Sequence, residues 1–246
     1  MYRVKCAEVW GGTLDADMDV CTNGLTASLY SASSDGGRGG DIYYFSVCQH
    51  DVLTRVVVAD VMGHGETINN VSQWLYEVLV RQIETFDSSA VLSDLHRMAR
   101  ERNLKAMTTA AVITFYLEDY SLYFSYAGHP PLLVRRQGEA VWRAANLPPR
   151  LTPRNLPLGV PFDAPYKQKQ MRLMKGDRLF LYTDGVIEAP DANGELFDME
   201  RLIEVLEKTG DKDLREVKHD VLAAVRAHTG GSLAHDDVTM LAVEIG

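Results

Sequence analysis

VVVADVMGHG, residues 56–65, carries three valines and an alanine into an aspartate and then into a Gly-His-Gly turn. Valine-rich stretches favour strands packed among apolar neighbours. An ionised carboxylate at the end of such a strand is costly unless a hydrogen bond, a helix N-terminus or a cation compensates it. What surrounds Asp60 therefore bears on both how the strand is housed and what it does.

Working outward, LTASLYSA (25–32) and DIYYFSV (41–47) read as strands separated by SSDGGRGG, and RVVVADV (55–61) is too apolar to be solvated on either face. After the glycines, Val71, Leu75, Val78, Leu79, Ile83 and Phe86 recur at helical spacing, and a second helical segment spans Ser88 to Leu104. TAAVITFYL, SLYFSYA and PLLVRR predict an antiparallel meander, turning at Glu118-Asp119 and Gly128-His129-Pro130. Asn146 to Pro165 holds six of the nine prolines and reads as an extended loop. MRLMKGDRLFLYTDGV predicts a hairpin turning at Lys175-Gly176-Asp177, Leu202 to Leu206 and Leu214 to Val225 read as helices, and DDVTMLAVEI as a closing strand. Strands in groups and helices in groups favour an α+β layered domain over an alternating parallel sheet.

The 246 residues, 46% hydrophobic and 24% charged, have the composition of an ordinary globular domain. No apolar stretch is long enough to span a bilayer, and MYRVKCAEVW lacks the features of a signal peptide, so a cytoplasmic location with no membrane partner is expected. Cys6, Cys21 and Cys48 are odd in number and form no CxxC pair, which argues against a disulfide framework or a cysteine zinc site. A net charge of −9 argues against a nucleic acid partner, which demands a basic face.

The chemistry concentrates in acidic residues placed alike at strand ends: Asp41 in GGD, Asp60 in ADVMGHG, Asp184 in YTDG, and Asp236 and Asp237 in HDD. Each alone has a structural explanation as a helix cap or turn residue. If the strand ends meet, each close like-charge pair costs about 1 to 4 kcal/mol, and a divalent cation removes that cost. Oxygen-only ligands favour Mg2+ or Mn2+ over zinc.

In this order, GGD, ADVMGHG, YAGHPPLLV, PLGV, GDRLFLYTDGVIEA and DDVTMLAVEI resemble the motif series of the SpoIIE/RsbU-type serine phosphatases, within the metal-dependent protein phosphatase (PPM, or protein phosphatase 2C) family. The resemblance runs from about Gly39 to Ile245. It implies a four-layer αββα sandwich of two antiparallel sheets flanked by helices, in a phosphatase domain spanning 35–246. Residues 1–34 are read as an N-terminal extension packed on that domain. It implies two divalent cations, Mn2+ or Mg2+: Asp60 bridging both, the Val61 carbonyl and Asp41 as further ligands, and Asp184 and Asp236 on the other ion. Asp236 is preferred to Asp237, because many relatives carry Asn at the latter position. It also implies hydrolysis of phosphoserine or phosphothreonine by a metal-activated water attacking in line, with no covalent enzyme intermediate. The implied substrate is a regulatory phosphoprotein resembling an anti-sigma-factor antagonist, and a homodimer is compatible with the resemblance. The competing reading is a catalytically weak scaffold of the same fold, against which the four carboxylates argue.

Other residues keep two readings. GGRGG lacks the Gly-Lys-Ser/Thr of a nucleotide loop; Arg38 within it could reach a substrate phosphate or simply be solvated. His64 could protonate the leaving alkoxide, alongside Asp41 and Asp60 as catalytic residues, or shape the turn. His129 is expected to pack or hydrogen-bond at a strand turn. His235-Asp236 matches the dipeptide of the all-helical HD phosphohydrolases, but here it opens a strand. Tyr44 replaces a frequent second acid after GGD and Tyr126 a frequent Asn before AGH, so both are expected around the site, tuning it.

Overall fold

Val56 and Val58 pack into one apolar cluster and Val57 and Ala59 into another, so the strand that carries them is buried on both faces. The computed structural model describes residues 1–34, 36, 39–62, 66–103, 106–147 and 155–246. The chain begins with β1 (Tyr2–Arg3), β2 (Val9–Gly12), β3 (Ala16–Cys21), β4 (Leu25–Ala32), β5 (Asp41–Val47) and β6 (Leu53–Val61). Helices α1 (Glu66–Arg81) and α2 (Ser88–Glu101) follow, then β7 (Thr108–Tyr116), β8 (Ser121–Ala127), β9 (Leu133–Arg135), β10 (Trp142–Ala144), β11 (Lys169–Arg172) and β12 (Arg178–Tyr182). The C-terminal part holds α3 (Asp184–Ile187), α4 (Asp198–Thr209), α5 (Leu214–His228) and β13 (Val238–Ile245).

The strands form two sheets, β1-β3-β4-β13-β12-β9-β10 and β11-β8-β7-β6-β5-β2. Leu29, Leu181 and Leu241 from the first meet Tyr43, Val58 and Ile113 from the second in a shared core, so the sheets stack face to face. On the outer side of the six-stranded sheet lie α1 and α2; α4 and α5 cover the other. This is the αββα sandwich expected from the motif series, with one departure from antiparallel pairing: β1 runs parallel to β3.

Helix α1 buries Ile68, Val71, Trp74, Leu75, Val78 and Leu79 along one stripe, each large aliphatic contributing about 1.5–3 kcal/mol. The Asp87 carboxylate caps α2, accepting from the N–H groups of Ser89 and Ala90 at 2.9 and 3.2 Å. Arg55, fully buried in β6, ties the sheet to the connection between these helices: it donates to Thr114 Oγ1 at 3.0 Å, to the Gln82 carbonyl at 2.9 Å and to the Thr85 carbonyl. Burial pushes its guanidinium down to about 10, so it stays charged at neutral pH.

Four expectations change. The meander stops at two strands: β7 pairs with β8, but β9 joins β12 and β10 in the opposite sheet. Pro130 and Pro131 follow β8 and have no N–H to extend its ladder. Residues 175–177 do not turn a hairpin either, because β11 pairs with β8 while β12 pairs with β13 and β9. The turn instead carries the chain from one sheet to the other, held by Asp177, whose carboxylate accepts the N–H of Met174 at 2.9 Å. Helix α1 ends at Arg81, and Phe86 packs edge-on against Tyr116 at 4.7 Å rather than continuing the helical stripe; Leu104 lies outside the described residues. Finally, residues 1–34 supply β1, β3 and β4 to one sheet and edge strand β2 to the other, with β4 paired to the closing strand β13 along its whole length.

Candidate metal centre

Side chains facing the inter-sheet core recur at every second residue of a strand. One step of that period beyond the apolar residues lie Asp41 (before Tyr43), Asp60 (after Val58) and Thr109 (before Ala111) in the six-stranded sheet. In the other sheet the same step gives Ser31 (after Leu29), Thr183 (after Leu181) and Thr239 (before Leu241). The register sets Asp41 opposite Asp60 and Asp60 opposite Thr109, and Thr239 opposite Ser31. The Thr183 N–H donates to the Thr239 carbonyl at 3.0 Å. One end of the core is thus closed by two polar rows, one of which carries two carboxylates.

Thr183 joins the rows. Its Oγ1 accepts the Thr239 N–H at 3.0 Å and donates to Asp41 Oδ2 at 2.8 Å, while the Ser31 and Thr239 hydroxyls meet at 2.8 Å. Asp41 is only 4% exposed. Burial pushes its carboxyl well above the usual range; the Thr183 bond opposes this and the Asp60 charge reinforces it. Asp60 is pushed up to about 7, by burial first and then by Asp184, Asp236, Asp237 and Glu188. Asp236 is raised by burial, against the bond from the Asp237 N–H, and further by Asp184 and Asp237. Glu188 is raised by burial, Asp184 and Asp236. Among the described residues, the charges that act on Asp60 are thus other carboxylates.

Glycines allow this approach. The Val61 N–H donates to the Gly40 carbonyl at 3.1 Å, and a Cβ on Gly40 would stand 2.6 Å from the Val61 carbonyl oxygen and 3.3 Å from Asp60 Oδ1. A Cβ on Gly185 would overlap the Asp237 carbonyl. Asp184 opens the one-turn helix α3, and His235 Nε2 lies 2.8 Å from the Gly185 carbonyl, tying the TDG segment to the HDD segment. Asp237 Oδ1 accepts the Ser34 N–H at 2.8 Å and Oδ2 the Gly40 N–H, while the Asp237 N–H donates to Asp236 Oδ1 at 2.8 Å.

Of the residues singled out from sequence, the structure brings Asp41, Asp60, Val61, Asp184 and Asp236 to one end of the sandwich, with Asp237 beside them. Arg38 and His64 lie outside the described residues. Tyr44 and Tyr126 do not surround the site as expected. Tyr44 sits on the helix-facing side of β5, its hydroxyl 2.9 Å from Ser72 Oγ, because it is an odd number of residues from Asp41. Tyr126 lies in the inter-sheet core and donates to the Ala145 carbonyl at 2.9 Å. His129 is buried beside the Pro130 carbonyl, 2.9 Å away, and burial pushes it down to about 4, so it is neutral. Sequence reading missed Thr183, Thr109 and Glu188. The two-residue period was the signal for the threonines; Glu188, one turn beyond Asp184, had none.

The donor set is carboxylate and carbonyl oxygen, which suits a hard divalent cation. Thr109 Oγ1, buried next to Asp60, has no hydrogen-bond partner among the described residues. Among those residues no three His, Cys, Asp or Glu side chains already stand as a cage. The carboxylates act on one another as neighbouring charges, the arrangement a cation would draw together.

The chain is 25% identical over 226 residues to phosphoserine phosphatase RsbP of Bacillus subtilis, covering 89% of this chain and 51% of that protein. To phosphoserine phosphatase RsbU of the same organism it is 28% identical over 210 residues, covering 82% and 58%. It therefore spans about half the length of these curated relatives. The SiaA-PP2C domain of Pseudomonas aeruginosa shares the fold with a TM-score of 0.74 at 20% identity, over 89% of this chain and 85% of that one. The catalytic domain of serine/threonine phosphatase PstP in complex with two manganese ions does so with a TM-score of 0.61 at 16% identity, over 90% and 98%. The family model for stage II sporulation protein E (SpoIIE) matches residues 51–246, most of the chain, and the protein belongs to that family, built on the PP2C-type fold.

Proposed function

We propose that this chain is a metal-dependent serine/threonine protein phosphatase that hydrolyses phosphoserine or phosphothreonine on a regulatory protein. The observation that carries the reading is Asp60, set opposite Asp41 in the sheet register and raised to about 7 by burial and by carboxylates arriving from two other segments of the chain. The phosphoserine phosphatases RsbP and RsbU and the manganese-bound PstP domain support it.

Asp41, Asp60 and the Val61 carbonyl would hold one divalent cation, Mn2+ or Mg2+, and Asp60, Asp184 and Asp236 the other. Bound there, the cations supply Lewis acidity: they lower the pKa of water and neutralise charge on phosphoryl oxygens. The remaining work falls to the protein. Thr183 Oγ1 already accepts an amide N–H, so its own proton is directed to Asp41 and fixes that carboxylate's rotamer. Strands β5 and β6, buried on both faces, hold Asp41 and Asp60 in register. Arg38 is proposed to contact the substrate phosphate and His64 to protonate the leaving alkoxide.

Resemblance to RsbU-type enzymes supports a phosphorylated anti-sigma-factor antagonist or a similar protein as the substrate. No helix among the described residues is long and apolar enough to cross a membrane, in keeping with a proposed cytoplasmic site of action. The test is phosphate release from a phosphoserine protein with Mn2+ or Mg2+, compared with EDTA and with Asp60→Asn. Turnover abolished by both changes is expected; turnover insensitive to both would sink the two-metal reading. A folded wild type that binds no divalent ion and shows no turnover would make the chain a scaffold.

A further inference from the structure

We propose that Asp237 is a positioning residue that latches the backbone at Ser34 and Gly40 onto the metal centre, rather than a metal ligand. The proposal rests on the phosphatase reading for what the latch serves, while the latch itself is a matter of this chain's own hydrogen bonds.

Asp237 commits each carboxylate oxygen to a backbone amide, Oδ1 to Ser34 at 2.8 Å and Oδ2 to Gly40. These donors lie on either side of residues 35–39, one residue before the Asp41 ligand at the nearer end. Gly40 passes the restraint on, because its carbonyl accepts the Val61 N–H at 3.1 Å and so fixes the peptide that places Val61 beside Asp60. The contact is close: a Cβ on Gly39 would stand 2.6 Å from Asp237 Oδ2. The backbone of Asp237 serves the remaining segments. Its N–H donates to Asp236 Oδ1 at 2.8 Å, and its carbonyl lies so near Gly185 that a side chain there would overlap it. One residue therefore meets the segments of Asp41, Asp184 and Asp236 directly and that of Asp60 and Val61 through Gly40, with its own carboxylate turned to amides.

The chemistry of two amide donors explains an aspartate here. A carboxylate offers two acceptor oxygens, whereas a carboxamide offers one oxygen and one NH2 group, which would confront the second N–H donor. Asp237→Asn should therefore release one amide and Asp237→Ala both. A ligand role predicts something else, the loss of a bound ion with no effect on these amides.

The test measures hydrogen–deuterium exchange at the Ser34 and Gly40 amides in the metal-free protein, together with calorimetric titration by Mn2+. The proteins are wild type, Asp237→Asn, Asp237→Ala and Asp236→Asn, with the core amides of β6 as the internal standard for intact folding. Exchange about tenfold faster at one amide is expected in Asp237→Asn, corresponding to one lost charge-assisted hydrogen bond, and at both in Asp237→Ala. Mn2+ affinity should fall by roughly 10- to 100-fold in these variants, as for other residues that orient ligands, with the wild-type stoichiometry kept. Asp236→Asn should weaken Mn2+ binding and leave both amides at wild-type exchange. Wild-type exchange at both amides in Asp237→Ala would overturn the latch, as would loss of one bound ion in Asp237→Asn. A wild type that binds no Mn2+ defeats the phosphatase reading, while the exchange data still decide the latch.

Discussion

Strand β12 carries an aspartate beyond each end, and the protein treats the two oppositely. Asp177, before the strand, is fully buried and fully served: Arg136 donates to it at 2.6 Å, and the N–H groups of Gln137 and Met174 at 2.8 and 2.9 Å. Asp184, after it, opens on a cluster in which its charge, after burial, raises the affinity of Asp60, Asp236 and Glu188 for protons. Elsewhere too the chain provides its own counter-charge, as where the buried Lys218 ammonium meets Asp17 and Arg178 meets Glu244 at 2.8 Å. The contrast separates two uses of a buried carboxylate. Paired from within, it staples the fold; left among its own kind, it stores an unfavourable interaction that a cation from outside would relieve.

The comparison breaks most visibly in activity. Asp60→Asn should lower Mn2+-dependent phosphate release by at least about 1,000-fold, since it removes the group shared by both proposed ions, whereas Asp177→Asn should leave turnover within a few-fold wherever the protein is folded. Equal losses in the two variants would erase the distinction.

Next in size is the pH dependence of the metal-free protein. Asp60 titrates at about 7 in the fold against a reference value of 3.8, so the folded state holds a proton that the unfolded chain has released across that window. The stability associated with the proton is full below pH 3.8 and is lost as pH rises through 7, a difference of up to about 4 kcal/mol. Urea unfolding in EDTA at pH 5 and pH 8 should show wild type losing stability relative to Asp60→Asn. Parallel profiles for the two proteins would mean that the carboxylates do not strain one another.

A smaller loss is expected at the served end. Asp177→Ala takes the carboxylate from Arg136, which keeps its bond to the Arg172 carbonyl, and from two amides, and should cost about 3 kcal/mol in urea unfolding with Mn2+ affinity unchanged. The smallest effect is reserved for Tyr44→Phe, which removes a hydroxyl bonded to Ser72 on the far side of the sheet. It should cost at most about 1 kcal/mol and leave Mn2+ affinity within twofold; a larger affinity change would bring Tyr44 back to the site.

Much of this was legible in the residues. LTASLYSA, DIYYFSV and SLYFSYA are strands with the expected bounds, because alternation and turn residues agree locally at each of them. The four motif aspartates do gather at strand ends. What failed was pairing. Whether β9 and β12 stay in their neighbour's sheet or cross to the other depends on prolines lacking donors and on Asp177 holding a turn, and both choices look alike in hydrophobic pattern. Tyr44 departs for a simpler reason: the GGD motif suggests a place around the site, but an odd count from Asp41 sends it to the opposite face. Residues 1–34 contain no motif, yet they form strands of both sheets, since sheet completion needs only alternation and leaves no chemical signature.

The central claim is that the end of the sandwich bearing Asp41, Asp60, Asp184 and Asp236 is a divalent-cation site. It is tested most directly by calorimetric titration of the metal-free protein with Mn2+, on wild type and Asp60→Asn in parallel. The account predicts two ions bound by wild type and weakened binding of both in the variant. Absence of binding by folded wild type, or identical isotherms for the two proteins, would contradict it.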